Sequence, residues 1–277
     1  MLRGIGRILL LLVICLSFIS CAKNKKKKEK REQASKTIEL TLEEIDEIMD
    51  NQFFTCETVN NSDSCPDGLA RVFIFNQYEP TESSVCTGFL IDEDVLITNN
   101  HCVTNELDCQ NTFIAIHSDG SSVRAKCSEI LETESNGGSG LVARTLDYSI
   151  LKLDKTVDIT PIQTQSIEVQ NQEQLSTFVV DQIDILHGRI VQLNCKAEIP
   201  GFVASTLLIS CPIIPGNSGS PVLNSSGNAI GIIWGASSNG NEFDDFTALN
   251  DRRATDAYGI MSEFRLFYDS VTTHTNL

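Results

Sequence analysis

Three short segments carry residue types that could do nucleophilic chemistry. VLITNNHCV sets His101 just after an apolar run and beside Cys102, with a second thiol, Cys86, sixteen residues upstream. LDYSILKL puts Asp147 at the head of another apolar run, and PGNSGSPV places Ser218 in a loop with Gly216 and Gly219. Alone, each has an ordinary reading: a surface or core histidine, a turn aspartate, a serine in a tight turn. In one site they would supply a base of the neutral pH range and a hydroxyl that becomes a nucleophile once a base takes its proton. Glycines so placed let the backbone adopt conformations closed to other residues and aim N–H groups inward.

Those segments need a scaffold, and the sequence from Pro66 onward points to strands. Helix-period patterns nearly vanish there, and short β-rich runs bounded by Gly, Asn, Asp and Ser take over. Strands are expected near residues 70–78, 85–91, 94–98, 112–117, 122–130, 148–153, 177–181, 188–195, 206–211, 221–223, 229–234 and 257–261. That pattern fits a sandwich or barrels. The clearest hairpin is PVLNSSGNAIGIIW, two apolar runs around a Gly/Asn turn. Ahead of the strands, residues 37–53 space Leu42, Ile45, Ile48 and Met49 as one face of an amphipathic helix, with Thr41 and Glu44 as a capping box. After them, SEFRLFYDSV reads as a short C-terminal helix that packs Phe264, Phe267 and Tyr268 on the strands.

Setting aside Cys15 and Cys21 in the leader, eight cysteines remain: Cys56, Cys65, Cys86, Cys102, Cys109, Cys127, Cys195 and Cys211. No CxxC pair occurs and the four histidines do not cluster with the thiols, so disulfides in an oxidising compartment are preferred over zinc ligation. Eight cysteines allow 105 connectivities; nearest-neighbour pairing is expected. His117, His187 and His274 read as structural or surface residues. The acidic loop of residues 240–256 lacks calcium-loop spacing among Asp244, Asp245 and Asp251 and reads as solvated.

Taken together, TNNHCV, DYSILKL and GNSGSP, in that order, resemble the histidine, aspartate and serine motifs of the trypsin/chymotrypsin-like serine peptidases, in a compact bacterial-type form. The likeness runs from about residue 69 to 268, and the His–Asp and Asp–Ser separations of 46 and 71 residues suit it. The resemblance implies an all-β fold of two antiparallel six-stranded barrels with the active site between them. It implies His101 as general base, Asp147 as the group that orients the imidazole, Ser218 as nucleophile, and the amides of Gly216 and Ser218 as oxyanion hole. It also implies the disulfide Cys86–Cys102 beside the histidine. Cys109–Cys127 and Cys195–Cys211 would then staple one hairpin in each barrel, and Cys56–Cys65 the segment between helix and barrel. Polypeptides are the implied substrates; neither cofactor nor metal is implied, and a monomer is expected.

Three positions depart from the family's pattern. Digestive members carry an Asp just before the nucleophile, which pairs with a newly freed N-terminus; Asn217 stands here, and an amide cannot make that ion pair. Activation without such a cleavage is therefore expected. Pro212 stands where cleavage after Lys/Arg needs an Asp, and Ile233 stands where glutamyl-specific relatives carry a His. A substrate pocket of Pro212, Ile213, Ile233, Trp234 and Gly235 would instead take a small or medium apolar side chain. Ile233 also replaces a Ser that often holds the triad Asp, so Asp147 needs other donors.

The leader has a different character. Arg3 and Arg7, an apolar run over residues 8–19 and then Ser20-Cys21-Ala22 form the three regions of a secretory signal. Twelve apolar residues span ~18 Å as a helix, short of the ~30 Å hydrocarbon core. Ser20-Cys21 resembles a bacterial lipobox, with Phe18 and Ile19 in place of its usual residues, which implies a diacylated Cys21 as mature N-terminus; an ordinary cleaved signal with secretion and an uncleaved anchor are the alternatives. Ala22, rather than Asp, after Cys21 points to the outer membrane, at the periplasm or cell surface. Expected boundaries are 1–20 signal, 21–36 lipidated basic tether, 37–65 helical and cysteine-bearing extension, 66–269 peptidase domain and 270–277 tail.

Charge divides the same way. The net charge is −16, but residues 1–33 hold nine Lys/Arg against two acids, +7, and the rest −23. The basic run KNKKKKEKREQ suits a solvated tether against anionic head groups, whereas so acidic a body excludes a nucleic-acid-binding role. Two functions remain: a membrane-tethered serine endopeptidase, or a protease-fold surface protein that binds partners with weak or no hydrolysis.

Overall fold

Runs rich in Val, Ile, Leu and Phe between turn residues become strands whose sheets close on themselves. The computed structural model describes residues 53–57, 65–76, 84–119, 121–135, 146–182, 187–198, 207–238 and 257–275. After an initial strand β1 (Phe53–Glu57), the first barrel comprises β2 (Leu69–Ile74), β3 (Ser84–Asp92), β4 (Val95–Thr98), β5 (Thr112–Ser118), β6 (Ser121–Ser135) and β7 (Asp147–Leu153). Its order is β2-β3-β4-β7-β6-β5, closed by β5 on β2. The second comprises β8 (Gln174–Gln182), β9 (His187–Glu198), β10 (Leu207–Ile209), β11 (Pro221–Leu223), β12 (Ala229–Ser238) and β13 (Ala257–Glu263). Its order is β9-β10-β13-β12-β11-β8, closed by β8 on β9. Within both barrels every pairing is antiparallel. These are two closed six-stranded barrels, as the motifs imply.

Successive residues of a strand point to opposite faces, and here both faces are used. Leu90, Leu96, Ile114 and Leu151 fill the first barrel, while Val179, Ile209, Val222 and Ile230 fill the second. Their neighbours Phe89, Ile97, Ile150, Val180 and Ala229 turn the other way and form a shared apolar layer. This is why the strands read as nearly continuous apolar runs rather than strict alternation. Closure also leaves few exposed ladder edges.

All twelve expected strands are present, most with ends shifted by a few residues. Two elements were not foreseen. β1 pairs in parallel with β9, Phe53 opposite His187 and Cys56 opposite Ile190, so Phe53 opens a strand, whereas the rest of the expected helix over 37–53 lies outside the described residues, as does the loop 240–256. A one-turn helix, α1 (Glu106–Gln110), follows the histidine segment; Asn105 caps it by accepting from the N–H groups of Leu107 and Asp108. The C-terminal segment is a 3-10 turn over Phe264–Leu266 and then α2 (Tyr268–Thr273). Phe264 and Phe267 are buried, and Phe267 stacks on Tyr148 at 4.2 Å between ring centres.

The cysteines pair as nearest neighbours: Cys56–Cys65, Cys86–Cys102, Cys109–Cys127 and Cys195–Cys211. Four disulfides fit an oxidising compartment, outside the cell or in the periplasm. No helix among the described residues is long and apolar enough to cross a membrane.

Candidate active site

β4 and β7 lie side by side, Thr98 opposite Ser149, and that pairing brings the first two chemical groups together. Past Thr98 the chain turns on Asn99, whose carbonyl accepts from the N–H groups of Cys102 (3.2 Å) and Val103 (3.3 Å). The turn lifts His101 to the surface, and the disulfide to Cys86 on β3 pins the next residue. Asp147 opens β7 with its side chain only 1% exposed, against 34% for His101. One carboxylate oxygen accepts from the His101 backbone N–H at 3.0 Å, and the other meets the ring Nδ1 at 2.7 Å. A carboxylate on Nδ1 favours the tautomer that carries its proton there and leaves Nε2 as the basic nitrogen. Charge-assisted bonds of this kind are worth about 1.5–3 kcal/mol each.

Two residues support the pair from behind. The Asn99 side-chain amide donates to the Asp147 carbonyl at 2.6 Å, and the Ser149 hydroxyl donates to the Val103 carbonyl at 2.7 Å, all buried. Asp147 is thus held without any hydroxyl from position 233, where Ile233 sits fully buried in the second barrel.

Ser218 lies in the loop between β10 and β11. Its first turn closes where the Asn217 N–H donates to the Ile214 carbonyl (3.1 Å), with Gly216 at φ +95°. The Asn217 side chain is fully buried; its oxygen accepts from the Ile214 N–H (3.1 Å) and its nitrogen reaches the Val180 carbonyl (3.4 Å). Gly219, at φ +89°, donates to the Ile233 carbonyl (2.7 Å); a Cβ there would collide with the Thr87 carbonyl, so only glycine fits. Thr87 on β3 crosses between the barrels: its N–H donates to the Ser218 carbonyl (2.7 Å) and its hydroxyl to the Gly216 carbonyl (2.8 Å). Among the described residues no backbone acceptor takes the N–H of Gly216 or Ser218.

The other expected site residues are distributed as follows. Ile213 and Ile233 are buried in the second barrel's cluster, while Pro212, Trp234 and Gly235 are half-buried. None of the five lines the cavity of about 330 Å³ that reaches His101, which is bounded by Phe75, Ser84, Leu107, Asp108 and Asn111 of the first barrel and α1. His117 is buried against Phe54, ring centres 5.7 Å apart, with Nδ1 at 3.2 Å from the Pro66 carbonyl. The side chain of His187 lies outside the described residues. Among the described residues the sole grouping of metal-ligating types is Cys86, His101 and Cys102, and its two sulfurs are joined to each other.

Asn99 and Thr87 carry much of this geometry, yet neither was singled out from the sequence. Asn99 adjoins the histidine motif and Thr87 adjoins a cysteine, so position was a signal, but the partners they reach are 48 and 129 residues away.

A further network abuts the site. Glu132 on β6 accepts from the hydroxyls of Tyr148 and Ser270 and faces His274 Nε2 at 3.2 Å, tying α2 to the strand that bears Asp147. Burial would raise Glu132, but the bonds from Ser270, Tyr148 and His274 outweigh it and hold the carboxyl below its ordinary range. Burial, with the Glu132 and Glu134 carboxylates nearby, pushes the Tyr148 phenol up to about 12 against the Ser270 bond.

Residues 86–232 match the family model of the trypsin-like peptidase domain. Among solved structures, the inactivated protease paralogue S-I1 of the scabies mite is similar at 13% identity, over 74% of this chain and 92% of that one, with a TM-score of 0.52. The Rv3671c protease of M. tuberculosis, in its active form, aligns at 13% identity over 71% of this chain and 75% of its own, with a TM-score of 0.46.

Proposed function

The chain belongs to the trypsin-like peptidase family, and on that premise we propose that it is a serine endopeptidase acting outside the cytoplasm on polypeptides. The observation that carries this reading is the two-point contact of His101 with the buried carboxylate of Asp147. A histidine fixed by its backbone N–H and its Nδ1 to one carboxylate presents Nε2 in a constant direction, as a general base requires.

In this mechanism His101 Nε2 takes the Ser218 hydroxyl proton as the oxygen attacks the substrate carbonyl carbon. The amides of Gly216 and Ser218 receive the developing oxyanion, each donor being worth roughly 3 kcal/mol in the transition state. Collapse breaks the C–N bond, and the imidazolium gives its proton to the leaving amine. Water then repeats the sequence on the acyl-enzyme: His101 takes its proton, the carboxylic product leaves, and Ser218 regains its hydroxyl. Asp147 holds the ring through Nδ1 and stabilises the imidazolium.

Cleavage after a small or medium apolar residue is the proposed specificity, because Pro212 and Ile233 supply neither the carboxylate nor the imidazole that charged side chains would need. The basic leader supports export and attachment through a lipidated Cys21, with a −23 body that an anionic surface repels.

Fluorophosphonate labelling tests the central claim. Folded, disulfide-intact protein should label covalently, and Ser218→Ala should abolish the label. Absence of labelling on the folded wild type would favour a protease-fold binding protein instead.

A further inference from the structure

Resting on the reading of Ser218 as nucleophile, we propose that Thr87 is a positioning residue for the oxyanion hole, acting through its hydroxyl on the peptide between Gly216 and Asn217. Thr87 is fully buried, belongs to the first barrel, and grips the serine loop of the second at two points. Two peptide planes are fixed at both ends as a result. The plane joining Gly216 to Asn217 is held at its carbonyl by the Thr87 hydroxyl and at its N–H by the Ile214 carbonyl. The plane joining Ser218 to Gly219 is held at its carbonyl by the Thr87 N–H and at its N–H by the Ile233 carbonyl.

The two oxyanion donors sit in the planes that alternate with these. Gly216 N–H belongs to the peptide before the first fixed plane, and Ser218 N–H to the peptide between the two. A peptide plane whose neighbours cannot rotate has little freedom of its own, so fixing alternate planes aims the intervening N–H groups. Such aiming matters where glycine at φ +95° leaves the backbone otherwise permissive. Preorganised donors stabilise developing charge without reorganising during the reaction.

The grip is itself anchored in the strand that presents the base. Thr98, three residues before His101 and fully buried, donates its hydroxyl to the Thr87 carbonyl at 2.8 Å. The carbonyl that accepts from Thr98 therefore belongs to the residue whose hydroxyl and N–H both donate to the loop. A relay of three hydrogen bonds couples the base-bearing strand to the nucleophile-bearing loop.

Thr87→Val keeps the shape and the backbone N–H but removes the hydroxyl; Thr87→Ser keeps the hydroxyl. Thr87→Val should lower kcat on a peptide substrate by about ten- to a hundredfold, below the roughly 10²–10³-fold expected for deleting a donor outright, with KM nearly unchanged. Thr87→Ser should recover kcat to within about threefold. Amide exchange followed by NMR adds a readout independent of turnover: the Asn217 N–H should exchange faster in Thr87→Val, while the Gly219 N–H, whose plane is held by the backbone of residue 87 in every variant, should not. Unchanged kcat in Thr87→Val, failed rescue by Ser, or unchanged Asn217 exchange each overturns the proposal. A wild type that neither labels nor hydrolyses overturns the peptidase reading, and the exchange comparison then decides whether the hydroxyl fixes the loop.

Discussion

The side-chain amide of Asn99 donates to the backbone carbonyl of Asp147 at 2.6 Å, both residues fully buried and 48 positions apart. Asp147 is consequently fixed twice from one short stretch, its backbone by Asn99 and its carboxylate by His101. In Asp147→Asn the amide can still occupy the space, but it can present its N–H to Nδ1 and favour the wrong tautomer. Activity should fall by about 10⁴-fold in kcat, whereas Asn99→Ala, which leaves the carboxylate, should cost about tenfold, since positioning alone is disturbed. Equal losses in the two variants, by steady-state kinetics on one substrate, would contradict this division of roles.

Asn217 already has partners at both ends of its side chain, in Ile214 and Val180. A serine loop whose Asn217 is held by its own turn and by β8 has no need of an incoming α-amino group. Protein with residues 37–68 intact should react with a fluorophosphonate at the same rate as protein clipped in that stretch. An intact form that stays inert until proteolysed refutes this. Asn217→Asp, which sets a carboxylate against the Val180 carbonyl, should destabilise by about 1–3 kcal/mol, measured by chemical unfolding.

The bonds around Glu132 make stability depend on pH in two separate windows. Glu132 is held below its ordinary value of 4.5, so its contribution is present above that value and lost as pH falls through the lower native one. Tyr148 is raised from 10.0 to about 12, so its contribution is present below pH 10 and lost as pH rises toward 12. Thermal midpoints should therefore drop at both extremes. Glu132→Gln should flatten the acid limb; an acid limb identical to wild type would show that Glu132 is not its source.

Cys21 follows a short apolar run and precedes a polybasic segment. Wild-type protein extracted from membranes should show an intact mass raised by acyl chains and lacking residues 1–20. Cys21→Ser should appear in the soluble fraction. A mass without acyl chains would refute lipidation: lacking residues 1–20 it would leave the simple cleaved signal, and retaining them an uncleaved anchor.

How much could be read in advance depended on the range of the interactions involved. Barrel strands were legible because apolar runs and turn residues are local properties. The contact between His101 and Asp147 joins two residues that their own motifs already marked, and the proposed role of Ser218 likewise rests on neighbours adjacent in sequence. The Cys56–Cys65 pair was anticipated, but β1 was not: FFTCE is five residues long, and it becomes a strand through pairing with β9, more than 130 residues away. α1 escaped because a single turn offers no periodicity; only Asn105 ahead of Asp108 marked it. Thr87 escaped for the opposite reason. Nothing next to it in sequence reveals that a loop from the other barrel will close over it.

The parallel seating of β1 on β9 also sets a path for force. A pull directed along the axis of β1 would load its hydrogen bonds to residues 187–191 together, in shear, rather than open them one by one. Should they yield, the Cys56–Cys65 crosslink carries the tension past residues 57–64 to the entrance of the first barrel. Until that point the load enters the second barrel through β9, away from β4 and β7, where His101 and Asp147 meet.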